Sequence, residues 1–140
     1  MTQEDKELLF KDLCARLPYH PCVKVWFKDG TTEEGALDLE HNYGDVLRDA
    51  FYYNEIIKIK PYLYPISSMT KEQLFEVQEI LGKNEIEIKN EFLSIIDSDR
   101  NTISYSEILA ILEWFNKNHF DYRGLIKKEL AINATNLSIY

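Results

Sequence analysis

The sequence predicts an α+β fold: an N-terminal helix, a small antiparallel meander, then a helical C-terminal half. Three observations carry this. Leu9, Leu13 and Leu17 recur at helical spacing ahead of Pro18. Val23, Val25 and Phe27 alternate with Lys24, Trp26 and Lys28 before Asp29-Gly30, a hairpin turn signal. Thr70 with Gln73, and Ser104 with Glu107, each fit the capping box that opens a helix.

The first helix is expected over residues 3–17. Thr2 can cap it, Glu4 and Asp5 suit the positive end of its dipole, and Phe10 and Cys14 sit beside the leucine stripe. A returning strand follows the hairpin over 31–39, and His41 to Gly44 form a second turn. A third strand is expected over 46–53. Ile57 and Ile59 then alternate with Lys58 and Lys60, which places one face in the core. Periodicity does not distinguish an open sheet from a small SH3-like barrel.

Pro61 and Pro65 fix their own φ and bias the preceding residues towards extended backbone, so the segment between them is not helical. This is where sheet gives way to helix. The helix over 71–81 presents Leu74, Phe75, Val77 and Leu81, has Met69 and Leu74 as its staple, and ends at Gly82. Residues 85–96 carry both a helical spacing (Ile88, Phe92, Ile95, Ile96) and an alternation (Ile86, Ile88); a helix capped by Asn84 is the preferred reading. A helix from Ser104 runs to about Asn118, with Ile103 and Ile108 as its staple. Asp121 then caps a short last helix over 122–130, accepting N–H bonds from Arg123 or Gly124, while Phe120 is the wedge between the two helices. The tail from Asn133 is expected to be irregular.

A chain of 140 residues suits one domain, 1–66 contributing the helix and sheet and 67–140 the remaining helices. Hydrophobic content of 45% and mean hydropathy of -0.34 describe a soluble globular composition. The net charge of -8 opposes nucleic acid and anionic membrane as partners, since both need a positive field. The first residues are acidic and polar rather than leader-like, and no apolar run nears the ~20 residues of a membrane span. A cytoplasmic location, with Cys14 and Cys22 as reduced thiols, is the expectation.

The strongest chemical candidate is an EF-hand-like calcium loop. Asp97, Asp99 and Asn101 match its first, third and fifth ligand positions, Ile103 its apolar anchor and Glu107 its terminal bidentate ligand. The glycine of the sharp turn is missing between Asn101 and Thr102, which puts Glu107 out of register, and Glu107 is already accounted for by the capping box. His119 and Asp121 could form a general base with its carboxylate, yet no nucleophile accompanies them. Cys14, His20, Cys22 and His41 are zinc-capable but lack knuckle spacing; Cys14, placed on an apolar helix face, reads as a small hydrophobe. No glycine-rich phosphate loop is present, and no cofactor is expected.

Three blocks, MTQEDKELLFKDLCARLPY, IIKIKPYLYPISSMTKEQ and WFNKNHFDYRGLIKKELAI, resemble a family of short proteins of gut anaerobes, their phages and integrated elements. The resemblance implies a mobile-element context and no activity, cofactor or catalytic residue. The first reading is therefore a non-enzymatic module that binds a protein partner through Tyr62, Tyr64, His119 and Arg123. A calcium module on Asp97, Asp99, Asn101 and Glu107 is the second, and an enzyme using His119 and Asp121 the third.

Overall fold

A computed structural model describes residues 1–38, 46, 50–51, 56–82, 85–97 and 103–140. The α+β class holds: an N-terminal helix packs on a mainly antiparallel sheet, and two further helices follow in the C-terminal half. Helix α1 spans Gln3–Arg16. Thr2 Oγ1 accepts the Asp5 N–H at 3.1 Å while the Asp5 carboxylate accepts the Thr2 N–H at 3.1 Å, a complete capping box. Leu9 and Leu13 are fully buried and Leu17 nearly so. Cys14 is exposed, contrary to its expected place on the apolar face. Asp12 and Arg16, both fully buried, occupy the flank beside Leu9 and Leu13, so the buried stripe lies on that side. Cys14, about 140° round the helix from Leu9, is left outside it.

Strands β1 (Cys22–Phe27) and β2 (Thr32–Ala36) form the expected hairpin. Asp29 Oδ1 accepts the Thr31 N–H and hydroxyl at 2.9 and 2.6 Å, and Gly30 takes the left-handed φ of 87°. Strand β3 (Ile56–Leu63) pairs with β1 and runs on through Pro61. Ile56 and Ile59 are buried, as are Pro61, Tyr62 and Leu63 further along, whereas Ile57 is 63% exposed. The register jumps from Trp26↔Lys58 to Phe27↔Ile56, so Ile57 is the extra residue of a β-bulge, and the simple alternation breaks there. Of the third strand expected over 46–53, only Val46, Ala50 and Phe51 are described. Their backbone is helical, and all three pack on the core around Leu9.

Helix α2 (Lys71–Ile80) carries both arms of the Thr70/Gln73 box, at 3.2 and 2.9 Å, and Gly82 takes a φ of 72° beyond its end. Val77 and Leu81 are buried as expected, but Phe75 is 60% exposed. The helix expected over 85–96 is instead a hairpin, β4 (Glu85–Lys89) with β5 (Phe92–Asp97). Ile86 is buried and Ile88 half-buried between exposed charged residues, the period of a strand. Asn90 and Glu91, at φ of 52° and 64°, make the two-residue turn.

Helix α3 (Tyr105–Lys117) begins at Ser104, whose Oγ accepts the Glu107 N–H at 3.2 Å. Beyond it, Phe120 is buried and stacks on Trp114 with centroids 5.5 Å apart. The last helix expected over 122–130 does not form; the chain makes successive turns. Asp121 accepts from Leu125 and Ile126, both at 2.8 Å, rather than from Arg123 or Gly124. That reach is too long for an N-cap, and Gly124 and Glu129 take left-handed φ values that interrupt any helical run.

Strand β6 (Ile132–Asn133) then returns parallel to β3, giving a mixed sheet of order β2-β1-β3-β6 among the described residues. Past Leu63, the Tyr64 N–H donates to the His119 carbonyl and the Asp121 N–H to the Tyr64 carbonyl, each at 2.8 Å. Two apolar clusters result. Leu9, Leu13, Val25, Ile59, Leu63 and Leu125 form the one under the sheet. Val77, Ile86, Trp114, Phe115 and Phe120 form the other between α2, α3 and the β4–β5 hairpin.

Candidate functional site

The densest arrangement of polar groups is where α1, the end of α3 and residues 119–126 meet. Arg16 sits in it with no solvent exposure. Its Nε and Nη2 donate to the two Asp12 carboxylate oxygens at 2.8 and 3.0 Å. Nη2 also donates to the Phe120 carbonyl at 2.7 Å, and Nη1 to that of Phe115 at 3.4 Å. A guanidinium thus covers the carbonyl end of α3, where a cation is favoured. Arg123 Nε lies 3.4 Å from Asp12 Oδ1, and the guanidinium carbons of Arg16 and Arg123 stand 5.4 and 5.0 Å from the Tyr122 ring centroid. One buried carboxylate therefore serves two guanidiniums.

His119 and Asp121 are both buried beside this cluster but are not joined to each other by a hydrogen bond. Both Asp121 oxygens are taken by backbone N–H groups. The His119 ring stacks on Tyr140 with centroids 3.7 Å apart and planes 9° apart, and its Nδ1 is buried without a hydrogen-bond partner. Burial, with the nearby Arg16 cation, pulls the imidazole pKa down to about 4. The ring is neutral at pH 7, and Asp121 does not orient it.

The four residues expected to form a binding surface are buried or half-buried. Tyr62 is buried, with its hydroxyl donating to Glu34 at 2.8 Å. Burial and the Glu34 carboxylate push that phenol up to about 12. Tyr64 is half-buried against Phe120 and Tyr140, His119 is buried, and Arg123 is half-buried beside Asp12. Tyr140 closes this region: its hydroxyl accepts the Cys22 N–H at 3.0 Å and donates to the Tyr62 carbonyl at 2.8 Å. Burial raises its pKa.

Of the calcium ligands, Asp99 and Asn101 lie outside the described residues, and Asp97 ends β5. The Glu107 carboxylate accepts from the Ser104 hydroxyl at 2.9 Å, which supports its place in the helix start. Among the described residues no group of three His, Cys, Asp or Glu side chains is placed to hold a metal; His41 lies outside them. No helix among them is long and apolar enough to cross a membrane.

A cluster of exposed apolar side chains lies elsewhere, on α3. Tyr105 is 84% exposed, Leu109 60% and Ile108 42%, while Trp114 and Phe115 further along the same helix are buried. Positions 105, 108 and 109 share one face by helical spacing. Sequence reasoning assigned Ile108 to a staple and did not single out Tyr105 or Leu109. Spacing alone does not say which of two apolar faces the core will cover. No family model, curated protein or solved structure matches this chain.

Proposed function

We propose that the chain is a non-enzymatic protein-interaction module whose contact face is the first half of α3. The observation that carries this is the joint exposure of Tyr105, Ile108 and Leu109 on a single helical face. Clustered large apolar side chains in water are unfavourable for a monomer, and an aromatic among aliphatics is a common composition for a protein contact. An amphipathic helix face of this kind fits a partner with an apolar groove. The overall charge of -8 supports a protein partner over nucleic acid or an anionic membrane.

The test is a photoreactive phenylalanine analogue at position 109, with a second at Lys128 as the control site. Irradiation in cells should give a discrete protein adduct at 109 and none at 128. The adduct should be lost in Tyr105→Ser, which truncates an exposed side chain. Equal labelling at both positions, or labelling indifferent to Tyr105, would overturn the reading.

A further inference from the structure

A cleft of about 530 Å³ lies between the β4–β5 turn and the turns that follow Asp121, its walls including Pro65, Phe92, Arg123, Ile126 and Lys127. We propose that this cleft binds a small monoanionic aromatic carboxylate, held by Arg123 and Lys127 against the apolar wall of Phe92 and Ile126. The site is distinct from the α3 contact face.

Preference here rests on which charged groups keep free hydrogen-bonding capacity, since Arg123 and Lys127 only balance Glu91 and Asp121 in the cleft. The backbone occupies both carboxylates. The two Asp121 oxygens accept the Leu125 and Ile126 N–H groups, and Glu91 Oε2 accepts the Ser67 N–H at 3.0 Å. The cations are less engaged. Asp12 already binds Arg16 with both oxygens, so its single charge leaves the Arg16–Arg123 pair with an excess positive charge. Arg123 approaches Asp12 with Nε at 3.4 Å, and among the described residues no hydrogen bond leaves the Arg123 guanidinium. Tyr122 and Asp12 hold this guanidinium in place, and among the described residues its terminal nitrogens make no hydrogen bond. A planar fork of that kind matches a carboxylate in bidentate geometry.

Size and charge narrow the ligand further. The cleft volume falls within the range typical of small-molecule sites. Phe92 is 71% exposed at the rim, an apolar surface that a flat ring would cover. At Gly124, whose φ is 74°, an added Cβ would meet no atom within 4 Å, so there is open space beside Arg123. A net charge of -8 repels polyanions, which favours a single carboxylate over a phosphate.

The experiment is an amide NMR titration of the full chain with benzoate, with benzamide as its neutral isostere and inorganic phosphate as the competing anion. Benzoate should give saturable shifts at Phe92, Arg123, Gly124 and Lys127, and benzamide should bind about tenfold more weakly or not at all. Lys127→Gln and Phe92→Ser alter exposed side chains; each should keep the wild-type unfolding midpoint and weaken benzoate severalfold. No saturable shift at tens of millimolar benzoate would overturn the proposal. So would equal binding of benzamide, tighter binding of phosphate at the same amides, or wild-type affinity in both variants.

Discussion

At the scale of single residues, His119 is the most informative. Its imidazole is buried, unpaired at Nδ1 and pulled down to about 4, whereas an unfolded histidine titrates near 6.5. Between those values the unfolded chain binds the proton and the folded chain does not. This contribution to stability is therefore complete above about pH 6.5 and is lost as pH falls towards 4. A shift of that size corresponds to roughly 3 kcal/mol, which partial solvent access reduces to about 1–2 kcal/mol. Urea unfolding at pH 7 and pH 5 should show the loss, and His119→Gln should flatten that part of the pH dependence. An unchanged pH dependence in the variant would show that His119 charges without penalty. Asp121 behaves differently, because its two oxygens each hold a backbone N–H in the buried turn. Asp121→Ala leaves two donors stranded and should cost about 2–4 kcal/mol, more than the ~1 kcal/mol of an ordinary N-cap, measured by the same unfolding.

At the scale of elements, Phe120 joins α3 to the turns that follow. It touches Trp114, Phe115 and Tyr64, with no exposed side-chain surface to relax into. Phe120→Ala should lower stability by about 3–5 kcal/mol in equilibrium denaturation. The β4–β5 turn gives a second prediction. Asn90 at φ 52° sits where asparagine is tolerated and β-branched residues are not. Asn90→Val should destabilise by roughly 1–2 kcal/mol, measured by the same denaturation, with Asn90→Gly near neutral. If valine were as stable as asparagine, the turn would have some other geometry.

At the scale of the whole molecule, the Asp12–Arg16 pair ties the first helix to residues about a hundred positions later in sequence. Arg16 holds the carbonyls of Phe115 and Phe120, so α1, α3 and the turns after it meet on one guanidinium. Asp12→Ala would leave Arg16 buried without its counter-charge and loosen Arg123 as well. The expected cost is about 3–5 kcal/mol, with calorimetry showing a lower and broader transition. Replacing both partners by apolar residues, Asp12→Leu with Arg16→Met, should recover much of it, because no buried charge then stays unpaired. Failure of the double variant to recover would mean that the carbonyl contacts of Arg16, rather than its pairing, hold the helices together.

Local chemistry determined much of this fold before any long-range contact was known. The box at Thr70, the N-cap at Ser104, the Asp29-Gly30 turn and the Leu9–Leu13–Leu17 stripe depend on residues a few positions apart, and each was legible in the sequence. Tertiary structure decided the rest. Residues 85–97 carry both a helical and an alternating pattern, and the Asn90–Glu91 turn with its bond to Ser67 selects the hairpin. Ile57 leaves the core because pairing with β1 places a bulge there. Asp12 and Arg16 resemble an ordinary surface ion pair until the end of α3 covers them. The candidate surfaces followed the same rule. Tyr62 and His119, expected at a surface, are buried by strands and turns distant in sequence, whereas Tyr105 and Leu109 stay exposed because nothing described packs against them. Spacing along a chain fixes which side chains share a face; only packing between elements decides which face is covered.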